Sequence, residues 1–335
     1  MRIIRKWTSR DLPSGFELRI ILILRGEEVA DLRYDIAKSL GMVIDDVFPW
    51  IEYEICDSID EEGYTRQHIR YDSLGDKVDA FLLLPKVLSQ NPAILINHQH
   101  NGERHLGKSE VCGLCGNPLH AFGPEFAKRG FVVLAPDSIC FEERRKGAQG
   151  TAPLPGDGDF MQHYNEMCYR ILKGDYLIKK VLLDAMSGIS LLSNLEFVDS
   201  NRVGTMGHSF GGNTVLFLSA IDDRINFGCA SGSACSYENR MLNNVGIEMA
   251  SVIPGFNIKY DIHDLVKCIA PRKLLIVSAE EDKYSRDAAT VIEKAHSSYA
   301  AYGASNNLQH KTYPGGHPLT QERFEYIIDW ICMNA

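Results

Sequence analysis

Apolar side chains recur with two periods along this chain, and the switch from one period to the other lays out its elements. Val29, Leu32, Ile36 and Leu40 stand at helical spacing, and Gly41 is placed to end that helix. Two segments with strand character follow, 65–71 and 78–84. They are joined through DSLGD, which predicts an antiparallel pair. From there strands and helices alternate. PAILINHQ reads as a strand, LHAFGPEFAKRG as a helix and FVVLAPD as a strand. Residues 161–195 read as mostly helix, and there Ile178, Leu182, Ala185, Ile189 and Leu192 make one apolar stripe that predicts core packing. A short strand over 203–206 leads into a helix from Thr214. Then come the strand INFGCAS, the strand PRKLLIVSAEED with its loop, a helix over 287–302, the strand QHKTYP and a closing helix over 319–333. Such alternation predicts a mostly parallel central sheet with helices on both faces. Ligands of such sheets bind beyond the carboxyl ends of the strands.

Those strand ends carry the chemistry. In TMGHSFGGN, Ser209 lies in a very short strand-to-helix turn between Gly207 and Gly211. The turn demands an unfavourable backbone conformation, and the glycines remove side chains that would clash. A G-x-S-x-G elbow exposes a nucleophilic serine in this way. A serine hydroxyl needs a base, and histidine titrates in the right range. The histidine in turn needs a carboxylate to hold its tautomer. The loop AEEDKYS follows one predicted strand and GGHP follows the next. The chain order Ser209, Asp282, His317 is that of the α/β-hydrolase triad. Glu280 and Glu281 compete with Asp282, but Asp282 lies farther into the loop and is short enough to orient an imidazole closely. His296 and His310 sit within a helix and a strand and fit the base poorly. For the developing oxyanion, the donors expected are the backbone N–H groups of Phe210, after the nucleophile, and of His100, in NHQHNGERHLGKSE.

Here the sequence resembles the α/β-hydrolase superfamily, and within it the dienelactone-hydrolase-like and acetyl-xylan-esterase-like hydrolases. The resemblance rests on His98 to Gly102 followed by Gly107 and Lys108, on RGFVVLAPD (129–137), CFEERR (140–145), RVG…GHSFGG (202–212) and APRKLL (270–275), and spans about residues 60–333. Gln99 and Asn101 depart from the usual residues of the oxyanion loop. The nucleophile is serine, where dienelactone hydrolases proper use cysteine, so the resemblance implies an esterase.

Composition narrows the rest. The chain has 335 residues, 45% of them hydrophobic and 24% charged, an ordinary globular balance. A net charge of −9 gives a nucleic-acid role little support. No run of ~18 apolar residues exists, so no membrane span is expected. Nine cysteines without framework spacing, and no signal-peptide pattern at the N-terminus, point to the cytoplasm and free thiols. Residues 1–60 read as an N-terminal extension, either a dimer arm in a homo-oligomer or a belt over the core, and 61–335 as the catalytic domain. The stretches 150–165 and 233–262 read as lids or binding loops, the second as a cap insertion. Arg144 and Arg145 could grip a substrate carboxylate, although an internal Glu–Arg network is the favoured reading. Tyr237 could line the pocket, although packing is favoured. His98, His100, His105, Cys112, Cys115 and His120 are rich in ligand atoms but lack a second paired half for zinc. No metal and no cofactor is assigned. The expected activity is a serine hydrolase cleaving small to medium carboxylic esters through an acyl-enzyme. A peptidase or thioesterase on the same triad, a zinc-dependent enzyme and a non-catalytic ligand-binding protein of the same fold stand as alternatives.

Overall fold

The computed structural model of the chain describes residues 29–44, 50–147 and 150–335. Among these, one sheet is built from β1 (Tyr53–Glu61), β2 (Tyr64–Ser73), β3 (Asp76–Pro85), β4 (Asn91–Asn97), β5 (Val132–Pro136), β6 (Val198–His208), β7 (Phe227–Ser231), β8 (Lys273–Ala279) and β9 (Leu308–Tyr313). The helices are α1 (29–39), α2 (Lys108–Val111), α3 (Phe122–Lys128), α4 (Gly158–Leu172), α5 (Leu177–Asn194), α6 (Phe210–Ile221), α7 (Tyr237–Leu242), α8 (Ile262–Ile269), α9 (Ala288–Ala301) and α10 (Gln321–Asn334). The strand order is β1-β2-β3-β5-β4-β6-β7-β8-β9. Pairing is antiparallel from β1 through β3 to β5, and parallel from β5 through β4 to β9.

The central strands are buried on both faces, so they read as continuous apolar runs. Along β4, Ala93 and Leu95 enter one core while Ile94 and Ile96 enter the other. The first core takes side chains from α1, α5, α6, α8 and α9, including the whole stripe Ile178, Leu182, Ala185, Ile189 and Leu192. The second takes Phe122 and Phe126 of α3 with Ile327, Ile328 and Ile331 of α10. The expected layering of helices on both faces is therefore present.

Several boundaries differ from the sequence reading. β1 went unread because its sequence, YEICDSIDE, is polar and nearly every position is exposed. It pairs with β2 along its length, so the sheet begins inside the stretch taken as an extension. Charged side chains on such an edge discourage pairing with another chain. From the same stretch, Ile36 and Leu40 of α1 are fully buried in the first core. The stretch 161–195 divides into α4 and α5 at Gly174, whose φ of 74° a helix cannot continue through. The lid stretch 150–165 overlaps α4, and 233–262 contains α7. β6 starts at Val198, and α6 begins immediately after Ser209 rather than at Thr214.

A buried ion cluster anchors the loop between β4 and α2. Lys108 Nζ lies 2.7 Å from Asp137 Oδ2 and 2.7 Å from Glu142 Oε1. Burial alone would pull the Lys108 ammonium down in pKa, but the charges of Asp137 and Glu142 push it well above its ordinary value. The carboxylates also accept the backbone N–H groups of Gly107, Lys108 and Ser109. Removing the cation strands two carboxylates in the interior. Lys108→Ala is expected to lose about 3–5 kcal/mol of unfolding free energy, measured by denaturant titration. A loss below about 1 kcal/mol, the range of exposed pairs, would contradict this.

Candidate active site

The parallel strands end at Asn97, Pro136, His208, Ser231, Ala279 and Tyr313, which gathers the loops after them on one edge. Ser209 follows β6 directly with φ 56° and ψ −116°, an unfavourable conformation for a residue with a side chain. Two contacts explain the flanking glycines. A Cβ on Gly207 would stand 2.4 Å from the Gly211 carbonyl carbon, and one on Gly211 would stand 2.0 Å from the Asn97 carbonyl oxygen. The strain is locked in by pairing, since the Ser209 N–H donates to the Ser231 carbonyl at 2.8 Å.

The structure brings together the three residues read from the strand ends. His317 Nε2 is 2.9 Å from Ser209 Oγ, and His317 Nδ1 is 3.1 Å from both carboxylate oxygens of Asp282. Asp282 also accepts from the Tyr284 N–H at 2.9 Å and the Ser285 hydroxyl at 2.8 Å. Burial pushes the Asp282 carboxyl up in pKa, but hydrogen bonding and charge from His317, with those two donors, hold it below its ordinary value. Glu280 and Glu281 are exposed, and His310 bonds Ser278 instead. Arg323 fixes the loop that carries His317. Its guanidinium donates to the carbonyls of Pro314, Gly316 and Pro318.

Ser209, Phe210, His100, Asn101, Gly102 and His317 line one cavity of about 250 Å³. Phe210 is the first residue of α6, where backbone N–H groups have no acceptor within the helix. Asn101 and Gly102 turn through φ 38° and 81°, which bends the chain at His100. The Gly102 N–H donates to His100 Nδ1 at 2.9 Å, which leaves Nε2 to carry the proton toward the Glu248 carboxylate bonded to it. Burial pushes Glu248 up in pKa, but His100, with His163 and Arg104 nearby, holds it down at about 2. Glu248 and Arg240, both from the stretch 233–262, line the same cavity and were not singled out from the sequence. The partner of Glu248 stands 148 residues away, and nothing local marks the pair.

Three weighed substrate contacts are corrected. Arg144 donates to Asp184 and Asp76 at 2.8 Å each and to the Asp137 carbonyl at 3.0 Å. Arg145 is paired with Asp159 and donates to the carbonyls of Glu142, Gly150 and Ala152. Tyr237 is buried, its hydroxyl bonded to the Ser251 carbonyl at 2.7 Å and its ring against Phe256. None of the three lines the cavity of Ser209. The ligand-rich stretch 98–120 does not gather as a zinc site either. His98 Nε2 accepts from the Ser138 N–H, Cys112 is packed in the second core and His120 lies against His208. Among the described residues the group with metal-compatible spacing is His68, Asp79 and Glu143. Lys108 and Arg70 are bonded to those carboxylates, which already supplies their positive charge.

The sheet topology and the placement of the site at its strand ends are those of the α/β-hydrolase fold. Proteins the chain is similar to are named as hydrolases and esterases. The profile of the acetyl xylan esterase (AXE1) family matches residues 149–240, the segment that holds Ser209. A Bacillus subtilis (strain 168) protein named "Putative hydrolase YtaP" is 24% identical over 267 residues, which are 76% of this chain and 84% of that protein. A solved structure from Bacteroides fragilis NCTC 9343, titled as a putative acetyl xylan esterase, superimposes with a TM-score of 0.72 at 16% identity, covering 91% of this chain and 84% of the other. A glucuronoyl esterase from Solibacter usitatus gives 0.64 at 17% identity, covering 92% and 91%.

Buried histidines around the site make its stability depend on pH. Burial lowers His98, His120 and His163 to a pKa of about 4 each. In the unfolded chain each would titrate near about 6.5. The unfolded state therefore takes up protons first as pH falls. The stability these groups contribute is present above about pH 6.5 and is lost toward pH 4, by up to about 1.4 kcal/mol per pH unit for each. Urea unfolding at pH 7 and pH 5 is expected to show a clear loss at the lower pH. Equal stability at both would mean that these histidines are not held neutral.

Proposed function

We propose that this chain is a serine carboxylic-ester hydrolase that works through an acyl-enzyme intermediate on a small to medium ester. The observation that carries the reading is the hydrogen-bonded chain Ser209–His317–Asp282 opening into one cavity. Ser209 Oγ attacks the ester carbonyl while His317 Nε2 takes its proton. The Asp282 carboxylate stabilises the imidazolium that forms and keeps Nδ1–H pointed at itself. The backbone N–H groups of Phe210 and His100 stabilise the oxyanion. Collapse of the tetrahedral intermediate expels the alcohol, which takes the proton from His317. Water then attacks the acyl-enzyme with His317 again as base, which frees the acid and Ser209. The small cavity and its polar lining, His100, Asn101, Asn213, Arg240 and Glu248, support a compact polar ester over a long-chain lipid. The matching family and the two solved structures are named as esterases, which supports ester over amide or thioester.

Ser209→Ala is expected to lose at least about a thousandfold in kcat for 4-nitrophenyl acetate while the fold is retained. Intact-mass analysis after fluorophosphonate treatment should place one adduct on Ser209, and an adduct elsewhere would overturn the assignment. Asp282→Asn is expected to fall by about 10⁴ in kcat, whereas Glu280→Gln and Glu281→Gln should stay close to the parent. Similar activities in all three variants would move the acid to another carboxylate.

A further inference from the structure

Among the described residues, Arg240 is a buried cation without a carboxylate partner. It is 6% exposed and lines the cavity together with Ser209, His317 and Tyr284. Its guanidinium donates only to backbone carbonyls, to Gly246 at 2.8 Å, to Cys235 at 3.3 Å and to Tyr284 at 3.5 Å. It also lies over the Tyr284 ring, 5.7 Å from the centroid. Among the described residues it forms no ion pair within 4.0 Å. Arg144 and Arg145, as deeply buried, each meet an aspartate. A guanidinium has five N–H donors, so the carbonyls leave part of its fork unused. Carbonyl dipoles hold the group in place without neutralising it. The carboxylate that lines the cavity, Glu248, is bonded to His100 and lies in the field of Arg104, so it is not the counter-ion of Arg240.

A charge taken out of water without a counter-ion is costly unless a ligand supplies one. The planar fork of arginine matches the two oxygens of a carboxylate. We propose that the ester cleaved at Ser209 carries a free carboxylate and that Arg240 binds it. This rests on the hydrolase reading and narrows its substrate class to acidic esters. The carboxylate enters either on the acyl side, as in a half-ester of a dicarboxylic acid, or on the alcohol side, as in an acylated hydroxy acid.

The test compares charged and neutral esters of matched size. On the acyl side, 4-nitrophenyl hydrogen glutarate is set against 4-nitrophenyl valerate. On the alcohol side, 4-acetoxybenzoate is set against phenyl acetate. Each pair is measured with the parent enzyme, Arg240→Gln and Arg240→Lys, after subtraction of the uncatalysed rate. The parent is expected to favour one charged ester by about tenfold or more in kcat/KM, mostly through KM. Arg240→Gln should bring that ratio to unity or below, and Arg240→Lys should keep part of it. A purely structural Arg240 would lower both members of a pair together and leave the ratio unchanged, which overturns the proposal. A parent enzyme that prefers neither charged ester also overturns it, whether or not the variants fold. Loss of neutral-ester turnover in Ser209→Ala reports on the hydrolase reading separately. If the parent cleaves none of the four esters, that reading fails and this one with it.

Discussion

One close approach governs the catalytic edge of this sheet: the backbone of Gly211 against the carbonyl of Asn97. A single added carbon at Gly211 would sit 2.0 Å from that oxygen, well inside contact distance. The approach is what brings α6 tight against the end of β4 and leaves Ser209 at φ 56° above both. The same geometry sets the N-terminus of α6, and with it the Phe210 N–H, beside the loop that begins at His98. Ser209 and the Phe210 N–H are therefore placed by one packing constraint. Local strain of this kind persists only where surrounding structure over-determines it. Here that structure is two parallel strand pairings, β4 with β6 and β6 with β7, which reach the last residues before the turn.

The loops around that edge are stiffened by charge. Asp137 and Glu142 close on Lys108 and on three backbone N–H groups beneath the oxyanion loop. Arg144 ties β5's following loop to α5 through Asp184. Arg323 wraps the His317 loop by three carbonyls. Each arrangement spends a buried charge on position, which costs desolvation and is repaid in geometry. A cation already closed on carboxylates, as Lys108 and Arg144 are, cannot also grip a substrate. That is why the conspicuous CFEERR run turned out to be scaffold.

What was legible in the sequence is what depends on short range. Ser209 could be read because the elbow needs its glycines two residues away on each side. Asp282 and His317 could be read because each follows a strand whose apolar run is unmistakable. The parallel sheet was legible for the same reason, since strands buried on both faces carry continuous apolar residues. β1 was not legible, because an edge strand with both faces in water keeps little apolar pattern. The start of α6 was misplaced by four residues, since the glycines that read as turn are the first turn of the helix itself.

The substrate-facing residues were hidden for a different physical reason. Arg240 and Glu248 belong to a segment whose path is set by contacts far away in the chain. The carbonyls that hold Arg240 come from Cys235, Gly246 and Tyr284, the last from the loop after β8. Glu248 is placed by His100, from the loop after β4. Neither spacing nor periodicity encodes such meetings. The catalytic groups are presented by strands whose order the fold dictates, so they are recoverable from pattern. The recognising groups are presented by a loop that closes over those strand ends, so only the assembled contacts show which of its many polar residues turn inward. Within that loop the discriminating feature is the state of pairing. Glu238, Asn243 and Asn244 are exposed and Asn239 is half-buried, while Arg240 is drawn inside with no carboxylate beside it among the described residues. Among the described residues, its charge is the one in the cavity that no carboxylate answers.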